Sequence, residues 1–463
     1  TGHYDNQVDN YKQDHFQFHW TQQYNSFWSS TIGLNYTYGR GYYEEYNDLW
    51  ATQNIAFGDE VNFDYLQITP LVSGGITIDT TENISRKWLD NNFYVGTFSL
   101  NYDSNQTNAV FGGSYSSYNG DHFGNLIWAQ YASNAAPNHR FYESNADKKD
   151  FNLYSKVTQR LGTAWTVYAD VQYRTVAYNS RGTVKGPEPI AIDDTLSFFN
   201  PKAGITYRAS EASRLYLSYA KAQREPNRSD YENGTPKSES LNDFEAGWRF
   251  KEEKVQLQAN LYYMDYENQL VLTGALDAVG EPIRTNSGAS YRFGLEIEAA
   301  IQFAEQWVWQ PNLAVSSNKN KDFYFKRDGL LQNLGTTNIS YSPSIVGASN
   351  LVYAPSTVFR IALLSKYVGE QYMGNIDADL SKLEAYLTND INISYVWTPN
   401  SWIKEAQFSL LVNNIFNELY TSNGFFYTFD DDYSVPGVVT TIEGVGYYPQ
   451  AGTNFLMGAT FRF

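Results

Sequence analysis

Apolar and polar residues alternate with a period of two along most of the chain. Phe16, Phe18 and Trp20 fall on one face of an extended segment. His15 and Gln17 fall on the other face. Side chains that point alternately to two faces indicate β-strands, each with one apolar and one polar side. The pattern therefore predicts an all-β protein.

The same alternation recurs often enough to divide the chain into strands. No stretch approaches the roughly 18 consecutive apolar residues that a membrane-spanning helix needs. The 17 predicted strands cover 13–25, 28–43, 91–104, 107–119, 146–161, 164–179, 195–208, 213–224, 238–251, 254–270, 284–304, 307–320, 334–353, 357–371, 384–398, 404–415 and 449–463.

The links between these strands alternate between short and long. Short links include 105–106, 162–163 and 252–253, whereas the long ones are 44–90, 120–145, 180–194, 225–237, 271–283, 321–333, 372–383 and 416–448. Short turns on one side and long loops on the other are typical of a transmembrane antiparallel β-barrel of the outer membrane. We therefore expect residues 1–463 to form a single barrel domain in contact with outer-membrane lipid. A soluble β-sandwich or propeller is the alternative for the same strand pattern.

Composition supports the membrane interpretation and excludes several partners. Charged residues make up only 18% of the chain and aromatic residues 17%, with a mean hydropathy of −0.49. A lipid-facing wall would account for the low charged fraction, and belts of aromatic residues at the membrane interfaces would account for the high aromatic fraction. The net charge of −17, without a basic stripe, argues against a nucleic-acid partner. The absence of cysteine excludes disulfides and thiolate chemistry.

Several segments in the second half of the chain resemble the barrel of TonB-dependent outer-membrane receptors of the siderophore or iron-complex type. One is the strand that ends in Arg224-Glu-Pro-Asn227, and the chain's final Phe461-x-Phe463 resembles the outer-membrane assembly signal. The segments that carry the resemblance, in order, are 215–227, 238–247, 260–266, 286–298, 412–420 and 447–463.

The resemblance implies a receptor in the outer membrane of a Gram-negative bacterium. Such a receptor would take up a scarce ligand with energy from TonB, most simply a ferric siderophore or other iron complex. Import of haem, cobalamin or a glycan, and a passive porin, are the alternatives. Because the family has about 22 strands around an N-terminal plug, 17 strands predict the C-terminal part of a longer receptor. The plug and the first strands of the same receptor are then expected partners.

Aromatic residues and arginines concentrate in the loops 120–145, 225–237 and 416–448. Rings and guanidinium groups together suit a bulky ligand with aromatic faces and anionic edges, through stacking, cation–π and bidentate contacts. The ligand-binding candidates are His122, Trp128, Arg140, Tyr142, Arg224, Arg228, Tyr231, Tyr420, Phe425, Tyr427 and Tyr447.

Enzymatic and metal-binding interpretations find little support in the sequence. No nucleophile elbow, phosphate loop or zinc-protease motif is present. His15 and His19 lie four residues apart on a predicted strand, which is too far for a shared ion. The acidic run at 430–432 could bind Ca²⁺, although such runs are more often solvated. We expect no catalytic residues, no metal site and no cofactor.

Overall fold

The structure is a computed structural model that describes residues 4–49, 58–184, 186–276, 282–399 and 402–463. The described residues group into two compact units. Unit 1 comprises Thr1–Thr158 and Asp170–Asn200, and unit 2 comprises Gln159–Ala169 and Pro201–Phe463. A single domain over residues 1–463 stays a prediction. Parts of the predicted loops 44–90, 180–194 and 271–283 lie outside the described residues.

Antiparallel strands account for nearly all of the regular structure. Eighteen of them pair with neighbouring strands in large antiparallel sheet rather than in isolated hairpins. One of these eighteen, β19 (Thr337–Asn338), has only two residues. The other 17 are β1 (Val8–Gln23), β2 (Trp28–Asn47), β5 (Asn83–Asp103), β6 (Thr107–Ala129), β7 (His139–Leu161), β8 (Trp165–Val184), β9 (Glu188–Arg208), β10 (Ser213–Arg224), β11 (Glu239–Lys251), β12 (Val255–Glu267), β15 (Ala289–Ala304), β16 (Trp307–Asn320), β20 (Ile345–Ser356), β21 (Phe359–Val368), β24 (Tyr386–Trp397), β25 (Glu405–Asn413) and β28 (Asn454–Arg462).

The remaining strands form two-stranded hairpins within the long links. They are β3 (Leu71–Ser73) with β4 (Ile76–Ile78), β13 (Leu270–Leu276) with β14 (Pro282–Asn286), β17 (Tyr324–Arg327) with β18 (Leu330–Asn333), β22 (Gln371–Tyr372) with β23 (Lys382–Leu383), and β26 (Thr421–Asp431) with β27 (Thr440–Pro449). Within the described ranges, a short helix, α1, spans Arg228–Glu232, and 3₁₀ turns span Gly58–Val61 and Asp379–Ser381. Among the described residues, no helix combines the length and the apolar character needed to cross a membrane.

The predicted all-β, antiparallel fold is confirmed, and each of the 17 predicted strands overlaps one of the 17 long strands. Several strand ends differ from the prediction in unit 1. There β6 continues to Ala129 and β7 already begins at His139, so the predicted loop 120–145 shrinks to 130–138. Backbone pairing continues after the apolar alternation fades, because ladder hydrogen bonds need no apolar face. The loop boundaries predicted there were therefore wrong.

In both units the apolar face of the strands is the exposed one. In unit 1, Phe16 is 62% exposed and Leu34 is 52% exposed, whereas Thr37 on the opposite face is 8% exposed. In unit 2, Leu217 and Phe244 are 57% and 49% exposed. A water-soluble sheet shows the reverse arrangement, with the apolar face buried. Exposed apolar faces and shielded polar faces suit a wall that meets lipid.

Buried apolar clusters lie among the long links instead. In unit 1, Leu126 of β6 and Phe141 of β7 pack against three buried residues of the link between β2 and β5, namely Phe63, Leu66 and Ile68. In unit 2, Met373, Leu383 and Phe426 form a second cluster. These links are consequently held as packed structures by their own small cores.

Candidate functional site

A cleft of about 860 Å³ opens among the long links of unit 2. Its walls come from strands β13, β14, β17 and β26, from the first residue of β15, from residues 321–323 after β16, and from Asn375 and Ile376 between β22 and β23. Concave sites of this size, with apolar walls and a few polar groups, are where proteins bind small ligands.

One wall of the cleft carries an aromatic ladder along β26. Phe425, Tyr427 and Phe429 occupy alternate positions and therefore share one face of the strand. The ring centroids of Phe425 and Tyr427 lie 6.3 Å apart, and those of Tyr427 and Phe429 lie 6.4 Å apart. The planes in each pair are within 18° of parallel. Tyr427 and Phe429 line the cleft and are about two-fifths exposed, so they offer ring faces to a ligand.

The hairpin β17–β18 is fastened to β26–β27 by charged and polar contacts. Lys326 Nζ lies 3.0 Å from an Asp430 carboxylate oxygen, and Arg327 lies 2.9 Å from a Glu443 oxygen. Asp328 and Thr441 exchange two further hydrogen bonds, of 2.7 and 2.8 Å. The hydrogen bond from Lys326 lowers the pKa of the Asp430 carboxyl, which keeps this group ionised. The two hairpins therefore form one continuous wall.

The second cation of the cleft, Lys321, is also paired. Its Nζ donates a hydrogen bond of 3.0 Å to Asp265 at the end of β12 and lies 5.4 Å from the ring centroid of Tyr291. The hydrogen bond to Asp265 raises the pKa of Lys321 above its ordinary value.

Helix α1 supports the β14 side of the cleft through a buried ion pair. Asp230, only 4% exposed, accepts hydrogen bonds of 3.0 and 2.9 Å from the Arg284 guanidinium. The same carboxylate caps the helix by accepting from the backbone N–H of Asn227. Two residues further along β14, Asn286 donates to the carbonyls of Lys237 and Asn268. These contacts fix the β14 edge of the cleft.

The family model described as "TonB dependent receptor-like, beta-barrel" matches residues 1–415. The chain belongs to this family. Among curated proteins, the catecholate siderophore receptor Fiu of Escherichia coli (strain K12) is 22% identical over 300 residues, which cover 61% of this chain and 35% of Fiu. The chain thus matches only about a third of that relative's length.

Solved structures show the same fold at low sequence identity. The closed form of Fiu from E. coli K12 superposes with a TM-score of 0.63 at 15% identity, covering 99% of this chain and 65% of that one. The ferric yersiniabactin uptake receptor FyuA of Yersinia pestis gives 0.60 at 14%, covering 97% and 61%. The copper transporter OprC gives 0.66 at 14%, covering 97% and 65%. Proteins that share this fold therefore differ in the cargo that their names state.

In this TonB-dependent receptor-like chain, the ligand-binding candidates of the last long loop lie on or beside β26–β27. Tyr427 lines the cleft and Phe425 continues the ladder behind it. Tyr447 lies on β27, where its hydroxyl donates a hydrogen bond of 2.9 Å to the Leu380 carbonyl. Tyr420 stacks on Tyr386 at 4.3 Å, outside the residues that line the cleft.

The candidate arginines of unit 2 are both engaged in ion pairs. Arg224 lies 3.1 Å from Glu239, and Arg228 lies 2.6 Å from Glu232 within α1. Tyr231 belongs to the same helix. None of these three residues lines the cleft.

The four candidates of unit 1 lie on strands rather than in a loop. His122 and Trp128 are on β6, and Trp128 is exposed. Arg140 and Tyr142 are on β7. The Arg140 guanidinium lies 4.1 Å from the ring centroid of Phe123 and pairs with Glu143 at 2.6 Å. His122 Nε2 lies 3.5 Å from the Tyr118 hydroxyl, and Tyr142 packs against the Phe141 cluster.

Of the residues that line the cleft, Tyr427 alone was a sequence-based candidate, and those that were missed include Lys321, Lys326, Phe429 and Asp430. Phe429 could have been found by extending the alternation from Tyr427. The lysines carry no local signal, since their carboxylate partners are distant in sequence. Asp430 belongs to the run considered for calcium. It pairs with Lys326, while Asp431 accepts from the backbone N–H of Ser434. Within the described ranges, no three His, Cys, Asp or Glu residues are placed to hold a metal ion.

Proposed function

We propose that this chain is part of an outer-membrane receptor that takes up a scarce iron complex, such as a ferric siderophore, with energy from TonB. The proposal rests on membership of the receptor family. It assigns ligand binding to the aromatic cleft of unit 2. Names of similar proteins support the iron cargo: Fiu is a catecholate siderophore receptor and FyuA a ferric yersiniabactin uptake receptor. The proposal assigns no catalytic step to the chain and places it in a Gram-negative outer membrane.

Uptake of radioactive iron tests this function directly. The gene for the full-length receptor is deleted in its own host, and uptake of ferric siderophores of several classes is measured under iron limitation. We expect uptake of one class to fall to the background level and to return when the gene is restored. A strain without TonB should show the same loss. Equal uptake with and without TonB would instead indicate a passive porin, and restored uptake of haem, cobalamin or a glycan but not of iron complexes would contradict the iron cargo.

The double substitution Tyr427→Ala/Phe429→Ala is expected to weaken ligand binding about tenfold, since each stacked ring contributes about 0.5–1.5 kcal/mol. Dissociation constants of the ferric complex that restores uptake are measured on the purified full-length receptor. Tyr433→Ala is the matched control, because Tyr433 is 73% exposed and does not line the cleft. Unchanged affinity in the double variant would remove the ladder from the binding surface.

A further inference from the structure

The charges that line the cleft of unit 2 cancel. Its described lining residues include two cations, Lys321 and Lys326, and two anions, Asp322 and Asp430. Lys326 is held by Asp430 at 3.0 Å, and Lys321 is held at 3.0 Å by Asp265 just outside the cleft. No arginine is among the described lining residues. The cleft therefore presents ring faces and neutralised ion pairs to a ligand.

Two arginines on the hairpins beside the cleft are also held in ion pairs. Arg327 is paired with Glu443 at 2.9 Å, and Arg284 is paired with the buried Asp230. The chain as a whole carries 50 acidic and 33 basic side chains. A ligand with several negative charges would gain no net attraction at the cleft and would have to compete with carboxylates already bound to each lysine.

We infer that the cleft binds a metal complex of low net charge with an apolar or aromatic face, and discriminates against polyanionic complexes. This inference rests on the proposed iron-complex function and specifies its ligand class. Tyr427 and Phe429 supply the stacking surface, which is indifferent to the charge of the ligand. The Lys326–Asp430 pair provides the discrimination, because Asp430 occupies the position that an anionic ligand group would need beside Lys326.

Two ferric complexes of different charge test the inference on the purified full-length receptor. The first is a neutral ferric trihydroxamate, and the second is a trianionic ferric tris-catecholate. Binding is followed by quenching of tryptophan fluorescence. We expect the neutral complex to bind at least about tenfold more tightly, which corresponds to about 1.4 kcal/mol. Its dissociation constant should be unchanged over a tenfold range of salt concentration, since no net charge is paired on binding.

The substitution Asp430→Asn separates the role of the ion pair from that of the rings. It releases Lys326, so affinity for the trianionic complex should rise about fivefold, while affinity for the neutral complex stays the same. Asp431→Asn is the matched control, because it removes the same charge from the neighbouring residue, which does not line the cleft. It should leave both affinities unchanged.

The outcomes distinguish this inference from the function on which it rests. If the trianionic complex binds as tightly as the neutral one, or if Asp430→Asn changes both affinities equally, the inference on charge is overturned and the iron-complex function stands. If the folded receptor binds neither complex, the inference is overturned, and the iron-uptake experiment alone decides whether the iron-complex function stands.

Discussion

Arg284→Met is expected to destabilise the long links of unit 2 by about 3 kcal/mol, because it leaves the Asp230 carboxylate buried without its counter-charge. Asp230 is 4% exposed and receives two hydrogen bonds from the guanidinium. Methionine preserves most of the side-chain volume, so the change removes mainly the charge and its hydrogen bonds. Hydrogen exchange of the amides of α1 and β14 measures the effect, and exchange there should accelerate by about two orders of magnitude.

Two further variants show whether the unpaired charge is the cause. Adding Asp230→Asn to Arg284→Met removes the buried charge, while the amide oxygen can still accept from the Asn227 backbone. This double variant should recover most of the lost protection. Arg284→Lys keeps the charge but not the two-pronged geometry, and an intermediate loss is expected. Equal exchange rates in Arg284→Met and the unchanged protein would show that the ion pair does not hold α1 in place.

The long strands were predictable because each carries a signal of its own. Alternation such as that of Phe16 and Phe18 against His15 and Gln17 is local, and every one of the 17 predicted strands is present. The same alternation failed at the far ends of β6 and β7. There, residues such as Asp121 and Glu143 are polar on a strand that still pairs through its backbone. An apolar pattern marks where a strand meets lipid rather than where the strand ends.

The hairpins inside the long links were not predicted, although two of them have turn dipeptides that are typical of hairpins. Asp328-Gly329 has φ angles of 52° and 74°, and Gly74-Gly75 has 59° and 82°. Positive φ at both central residues is the turn geometry for which Asp-Gly and Gly-Gly are favoured in two-residue hairpins. Interpreting these two dipeptides as turns would have predicted the hairpins β3–β4 and β17–β18 within the long links.

The ion pairs of the cleft could not be predicted, since they join residues far apart in the sequence. Lys326 and Arg327 of β17 meet Asp430 and Glu443 of β26–β27. Loops rich in Arg and aromatic residues suggested recognition of anionic edges. In the structure, Arg224 is held by Glu239 and Lys326 is held by Asp430. Which charges remain available is a property of three-dimensional pairing and not of composition.

Phe141→Ala is expected to open the small core of unit 1, at a cost of about 3–5 kcal/mol, through lost burial and the cavity left behind. Phe141 is fully buried, and its ring centroid lies 5.7 Å from that of Tyr65 in the segment that covers it. A Cβ at Gly124 of β6 would lie 2.5 Å from the Phe141 ring, so the site is shaped around this side chain. Hydrogen exchange over residues 61–68 should therefore accelerate strongly, with new protease cleavage in that segment.

Phe151→Ala is the matched control, because Phe151 lies on the same strand and is 44% exposed. If residues 61–68 exchange at the same rate in both variants, Phe141 does not anchor this segment, and its packing must depend on the charged contacts of Lys87 with Glu45 and Glu60.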